Sequence, residues 1–151
     1  MKNLLAIVGL GAVLLATPTL AATTDAECEA AWKKADVNGD GTVTEAEAAR
    51  YFAAMRLVNK PLTDGKMTRA IFMENCRADY LVVNRHTDPG APLKGANSFT
   101  EGQAKDRAMA AGFSVTSELK KEADGIWRGM GMDGSKAVNI AVDYKGNVVV
   151  N

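Results

Sequence analysis

Residues 36–47 read DVNGDGTVTEAE, and this stretch decides the fold of the first half of the chain. Oxygen-bearing side chains recur at alternate positions, with Asp36, Asn38, Asp40, Thr42 and Thr44 at 1, 3, 5, 7 and 9, and Glu47 closing the series at 12. In a tight loop, alternate residues can aim their oxygens at one point. Gly41 stands sixth, where such a loop must turn with positive φ, a conformation that glycine adopts without a Cβ penalty. Val43, at position 8, is aliphatic and suited to anchor the loop to a core. A polar Asp/Asn/Gly turn between two helices is a common feature. Six matched positions with helical sequence on both sides go beyond what a turn requires.

The dodecamer resembles the EF-hand calcium loop, without a gap. The resemblance implies that Asp36, Asn38 and Asp40 each supply a side-chain oxygen, Thr42 its backbone carbonyl, and Thr44 a hydroxyl or a bridging water. Glu47 supplies both carboxylate oxygens, and together these suit a hard cation that takes about six to eight oxygens. Only three carboxylates stand at ligand positions and position 9 is a threonine, so the implied affinity is weak, on the order of 10⁻⁵ to 10⁻³ M. The expected cofactor is Ca²⁺, one ion per chain. Lanthanide-selective relatives of this loop carry proline at position 2 and an extra acid at position 9. Val37 and Thr44 stand there instead, which favours calcium without excluding trivalent ions.

Working outward, residues 24–35 are predicted to be a helix with Asp25 as its N-cap and Cys28, Ala31, Trp32 and Ala35 on one face. A second helix is predicted over 46–58, with Ala48, Phe52 and Met55 at helical spacing; Trp32 and Phe52 are read as core. A weaker echo follows. DGKMT at 64–68 aligns with residues 40–44, and a helix-like AIFMENCRADYL follows over 70–81. The register puts Lys60, Leu62 and Ile71 at positions 1, 3 and 12, leaving Asp64 as the one side-chain ligand, so this second loop is expected to bind no metal.

Residues 81–97, LVVNRHTDPGAPLKGAN, read as a connector. His86, the only histidine, lies in it and is read as solvated, and Asp88 beside Pro89 as turn chemistry. Beyond it, Thr100 and Gln103 form a capping box that opens a helix ending at Gly112. Short strands follow, the first containing Leu119, with turns at 124–125, 133–134 and 145–147. AVNIAVDY at 137–144 alternates, with Val138, Ile140, Val142 and Tyr144 expected on one face. One helix on an antiparallel meander buries such a face. The segments TEGQAKDRAMAAGF, DGIWRG and VDYKGNV make residues 98–151 similar to PepSY-like domains, small helix-plus-sheet modules of envelope and secreted proteins, some of them in protease propeptides.

The chain of 151 residues carries 18 basic and 18 acidic side chains. Its first 21 residues have Lys2 followed by the apolar LLAIVGLGAVLLA, too short for a membrane span, and end on a small-residue cleavage site at Thr19-Leu20-Ala21. Cleavage there removes one lysine and no acid, leaving 17 basic against 18 acidic residues, a net charge of −1. No basic stripe supports nucleic-acid binding or polybasic membrane docking. Two cysteines, Cys28 and Cys76, in an exported chain favour one structural disulfide over a redox pair, since no CxxC spacing is present. No nucleophile–base pair, phosphate loop or Cys/His cluster marks an enzyme.

The expected architecture is thus α+β: a signal peptide over 1–21, an EF-hand-type helical unit with one complete and one degenerate loop over 22–80, a connector over 81–97, and a PepSY-like helix-plus-sheet domain over 98–151. Limited packing between the two units is expected from the two prolines and small residues of the connector. The expected function is non-catalytic calcium binding in the periplasm, with an exported or envelope protein as a candidate partner. Inhibition or chaperoning of an exported protease, and lanthanide binding, are the alternatives.

Overall fold

The computed structural model describes residues 23–62, 64–81 and 87–151. The N-terminal apolar segment with its expected cleavage site, and His86, lie outside the described residues. Helix α1 spans Asp25–Ala35. Its N-cap is Thr24, not Asp25: the Thr24 hydroxyl accepts from the Glu27 amide, and the Glu27 carboxylate accepts from the Thr24 amide. This reciprocal pair satisfies two donors that the first turn leaves open, which an Asp25 cap could not do alone. Strand β1 (Thr42–Thr44) and helix α2 (Glu45–Leu57) follow, the helix being interrupted at Ala48. Strand β2 (Lys66–Thr68) leads into α3 (Arg69–Arg77). Helix α3 ends four residues before the predicted Leu81 because Asp79 turns left-handed, with φ 57°. The Tyr80 and Asp79 amides then bond back to the Asn75 and Cys76 carbonyls, a closing motif that stops a helix.

β1 and β2 pair antiparallel, with Val43 opposite Met67. Both side chains are completely buried and lie in one core with Trp32, Phe52 and Phe72. The Phe72 ring takes edge-on contacts from Trp32 at 5.3 Å and Tyr51 at 4.9 Å. Trp32 and Phe52 are therefore core, as their spacing predicts, and Tyr51 packs partly buried beside them. Cys28 and Cys76 form a disulfide joining α1 to α3, with Cα atoms 5.8 Å apart.

The second half is one helix on an antiparallel sheet. Helix α4 (Glu101–Ala110) opens on the predicted Thr100–Gln103 capping box and closes at Gly112. Strands β3 (Ser114–Val115), β4 (Lys120–Lys121), β5 (Trp127–Asp133), β6 (Lys136–Val142) and β7 (Val148–Val150) then form a sheet of order β3-β5-β6-β7, with β4 also paired to β5. Ala104, Ala108 and Phe113 pack against Val138, Ile140 and Val142. Leu119 lies just before β4, not within a strand, though it is buried in the same core.

Tyr144 departs from the expected face. The strand stops at Val142, and Tyr144 is exposed, because Asp143 captures the chain. The Asp143 carboxylate is wholly buried and accepts from the amides of Lys145, Asn147 and Leu93 and from the Asn147 side chain. The Leu93 bond binds the preceding segment to this turn. That segment is fastened at further points: the Asp88 amide donates to Asn147 Oδ1, and the Gly95 amide to the Asp124 carbonyl. A Cβ at Gly125 would stand 1.7 Å from the Gly95 carbonyl oxygen, so only glycine permits this approach. Residues 87–97 are thus a strap on the sheet half, where composition predicts a loose connector. Asp143→Asn should cost about 2 kcal/mol or more, because an amide presents N–H where donors already converge; urea denaturation measures it.

The two halves also pack on each other, contrary to expectation. Ala53 and Ala54 of α2 are buried against Ala110 of α4, flanked by Leu57 and Met109. Arg56 bridges Asp106 on α4 and Glu45 at the start of α2, at 2.7 and 2.9 Å. Side chains of methyl size bring the helices close, a contact that low apolar bulk conceals in the sequence.

Candidate functional site

The 36–47 loop leaves α1 at Asp36, whose amide donates to the Trp32 carbonyl at 2.9 Å, and re-enters helix at Glu45. Its oxygens organise the backbone around them. Asp36 accepts from the Asp40 amide on Oδ1 at 3.1 Å and from the Gly41 amide on Oδ2 at 3.2 Å. Asn38 Oδ1 accepts from the same Asp40 amide at 2.9 Å, and its Nδ2 donates to Asp40 Oδ2 at 3.1 Å. Asp40 Oδ1 accepts from both the amide and the hydroxyl of Thr42 at 2.8 Å. Gly41 takes φ +82°, the left-handed turn that position 6 requires. Asp36, Asn38, Asp40 and Thr42 are therefore drawn into one cluster.

The far end of the loop has its own arrangement. Thr44 is the N-cap of α2, and Glu47 Oε2 accepts from its amide at 2.9 Å and its hydroxyl at 2.8 Å. Glu47 Oε1 is buried without a hydrogen-bond partner. An ionised carboxylate oxygen in that condition is costly unless a cation or donor meets it. Glu47 thus divides its two oxygens, one spent on the helix cap and one left open. Among the described residues, no three His, Cys, Asp or Glu side chains are gathered as a ready metal cluster. The loop's other oxygen donors are of a different type: an amide, hydroxyls and backbone carbonyls.

The donor set fits a hard cation. Asp36 Oδ1 and Oδ2 and Asp40 Oδ2 each accept one donor and keep a lone pair, whereas Asp40 Oδ1 already accepts two. Both cysteine sulfurs are in the disulfide, so no free thiolate competes for a soft metal. The second loop brings no such set. Lys60 lies over the Tyr80 ring at 4.4 Å, Leu62 and Ile71 pack on the helical core, and Asp64 accepts from the Lys66 amide. Its contribution is β2, which pairs with β1 and so braces the first loop from Thr42 to Thr44.

The Thr42 hydroxyl and amide, with a smaller contribution from Lys66 across the strand pair, hold the Asp40 carboxyl below its ordinary range. A carboxyl lowered in the folded state contributes order that is fully present above its unfolded value, about 3.9, and is lost as pH falls through the folded value. In ion-free protein, the Thr42 amide resonance should therefore titrate below the ordinary aspartate range, and Thr42→Val should move that titration upward. An unchanged NMR titration in the variant rejects the assignment.

Sequence reasoning missed one feature here. Glu47, Ala48 and Tyr51 of α2 share a cleft of about 570 Å³ with Lys34, Met109 and Phe113, so the last ligand candidate stands where the two halves meet. Its only signal was the run of alanines in both helices. Among the described residues no helix is long and apolar enough to cross a membrane. No family model matches the chain, no curated protein matches it in sequence, and no solved structure matches it in fold.

Proposed function

We propose that this chain is a non-catalytic calcium-binding protein of the EF-hand kind, holding one ion in the 36–47 loop. The observation that carries the reading is the buried, partnerless Oε1 of Glu47 at position 12. A cation beside it removes the cost of a desolvated carboxylate oxygen. Asp36, Asn38 and Asp40 would hold the ion together with Glu47, the Thr42 carbonyl and the Thr44 hydroxyl. An ion would supply the charge that draws the carboxylates of Asp36, Asp40 and Glu47 together and thereby orders the loop. The absence of side-chain oxygens at Lys60, Leu62 and Ile71 limits the stoichiometry to one.

The proposed compartment is the periplasm. The charged and apolar N-terminal sequence reads as an export signal, and the Cys28–Cys76 disulfide is compatible with an oxidising destination. The helix-plus-sheet half is proposed to face a protein partner of the envelope.

Equilibrium dialysis and calorimetry test the reading together. One Ca²⁺ per chain is expected, with a Kd on the order of 10⁻⁵ to 10⁻³ M. Two ions per chain, or none at millimolar calcium, rejects it. A parallel lanthanum titration distinguishes a calcium loop from one selective for trivalent ions.

A further inference from the structure

Helix α2 belongs to both halves of the molecule. Its first turn is the end of the oxygen-rich loop, and its later turns lie on α4. At that contact Ala53, Ala54 and Ala110 are 0, 1 and 1% exposed, so the helices meet face to face on small side chains. Arg56 adds a bridge at the rim, bonding Asp106 on one side and Glu45 on the other, two residues before Glu47. Near Glu47 itself, the cleft wall passes from α2 to the Met109–Val115 corner, where α4 turns into β3. On its opposite face α4 seals the sheet core through Ala104 and Ala108 against Val138, Ile140 and Val142. The strap at 87–97 is bonded to the same sheet half through Asp143 and Asn147. Between loop and sheet the direct packing therefore runs through the later turns of α2 and through α4, beside the cleft at Glu47.

We propose that the loop and the sheet half are one energetic unit, joined through α2 and α4, so that an ion in the loop stabilises the sheet as strongly as it stabilises the helices beside it. This rests on the calcium reading and adds what the ion controls. A ligand that binds only the folded form stabilises everything that must open with its site. Elements that share a close-packed contact open together, while elements separated by solvated linkers open separately. The α2–α4 contact puts this chain in the first class. The consequence is regulatory: ion concentration sets how often the helix-plus-sheet half opens, and with it the lifetime of any surface that half presents to a partner.

Hydrogen exchange on the intact chain tests this, with calorimetry on the same sample. At calcium a hundredfold above the measured Kd, the slowest amides in α1 and α2 should exchange about 100-fold more slowly, and those in α4, β5 and β6 should slow by the same factor. Two variants supply an independent reading. Trp32→Phe leaves Trp127 as the fluorophore of the sheet half, and Trp127→Phe leaves Trp32 in the helical half. Their urea transitions should coincide and move together with calcium. Ala110→Leu, which overfills the contact, should cut the slowing in β5 and β6 below 10-fold while ion uptake stays within a few-fold; if this variant does not fold, the exchange data on the unaltered chain decide. Calcium uptake with slowing confined to residues 24–81 overturns the coupling and leaves the calcium reading intact. No uptake overturns both.

Discussion

Glu47→Gln is expected to weaken calcium binding by about 100-fold or more while leaving the ion-free fold almost unchanged. Two roles meet in this residue, and glutamine separates them. Its amide oxygen can still accept from the Thr44 amide and hydroxyl, the bonds now made by Oε2 at 2.9 and 2.8 Å. Glutamine serves at that position of a capping box as glutamate does, so α2 keeps its start. The other oxygen, buried and partnerless, is replaced by an NH₂ group that offers hydrogens where an ion needs a lone pair. The carboxylate charge goes as well. In the absence of ion the substitution exchanges one buried, partnerless polar atom for another, so the melting temperature in a chelator should change little. Calorimetry and thermal melting with and without calcium read the two effects separately. Normal affinity in the variant would mean that Glu47 is a helix cap and nothing more. Asp64→Asn is the matched control, since that aspartate only turns the second loop, and it should leave affinity unchanged.

What was legible in the sequence was local. The 36–47 spacing gives the loop, and aligning 64–68 with 40–44 places Met67 at the position of Val43, the pair that β1 and β2 set opposite each other. The Thr100–Gln103 box and the alternation through Val142 gave α4 and β6 because both depend on neighbours a few residues away. Thr24 with Glu27 carries the same signal as Thr100 with Gln103, whereas Asp25 is favoured as a cap by residue type alone. The remaining departures are long-range. Residues 87–97 have the composition of a linker, yet their amides are captured by Asp143, Asn147 and the Asp124 carbonyl, up to 59 residues away. The α2–α4 contact is built from alanines, whose periodicity carries little apolar signal although their small size is what allows the approach. Tyr144 continues the alternation by type but falls beyond the strand, because a buried aspartate beside it serves the turn instead.

Reduction of the Cys28–Cys76 disulfide is expected to lower the unfolding free energy by about 4 kcal/mol. The bond spans a sequence separation of 48, and the expected loss is that of the chain entropy recovered when so long a segment is released in the unfolded state. Little else ties α1 to α3 from outside the core: the Arg77–Asp25 and Arg69–Glu29 pairs are exposed, where ion pairs contribute little. Both loops lie inside the closed segment, so the disulfide and the ion constrain the same stretch of chain by different means. Calcium at a hundredfold excess over its Kd stabilises by about 2.7 kcal/mol, which is less than the loss. Reduced protein with calcium should therefore melt below oxidised protein without it, and reduced protein without calcium lowest of all. Urea transitions of the four states, with a Cys28→Ala/Cys76→Ala chain in place of the reduced one as a check on the reductant, give the order. If reduction shifts stability by less than calcium does, the paired core around Val43 and Met67, and not the covalent bond, is what holds the loops together.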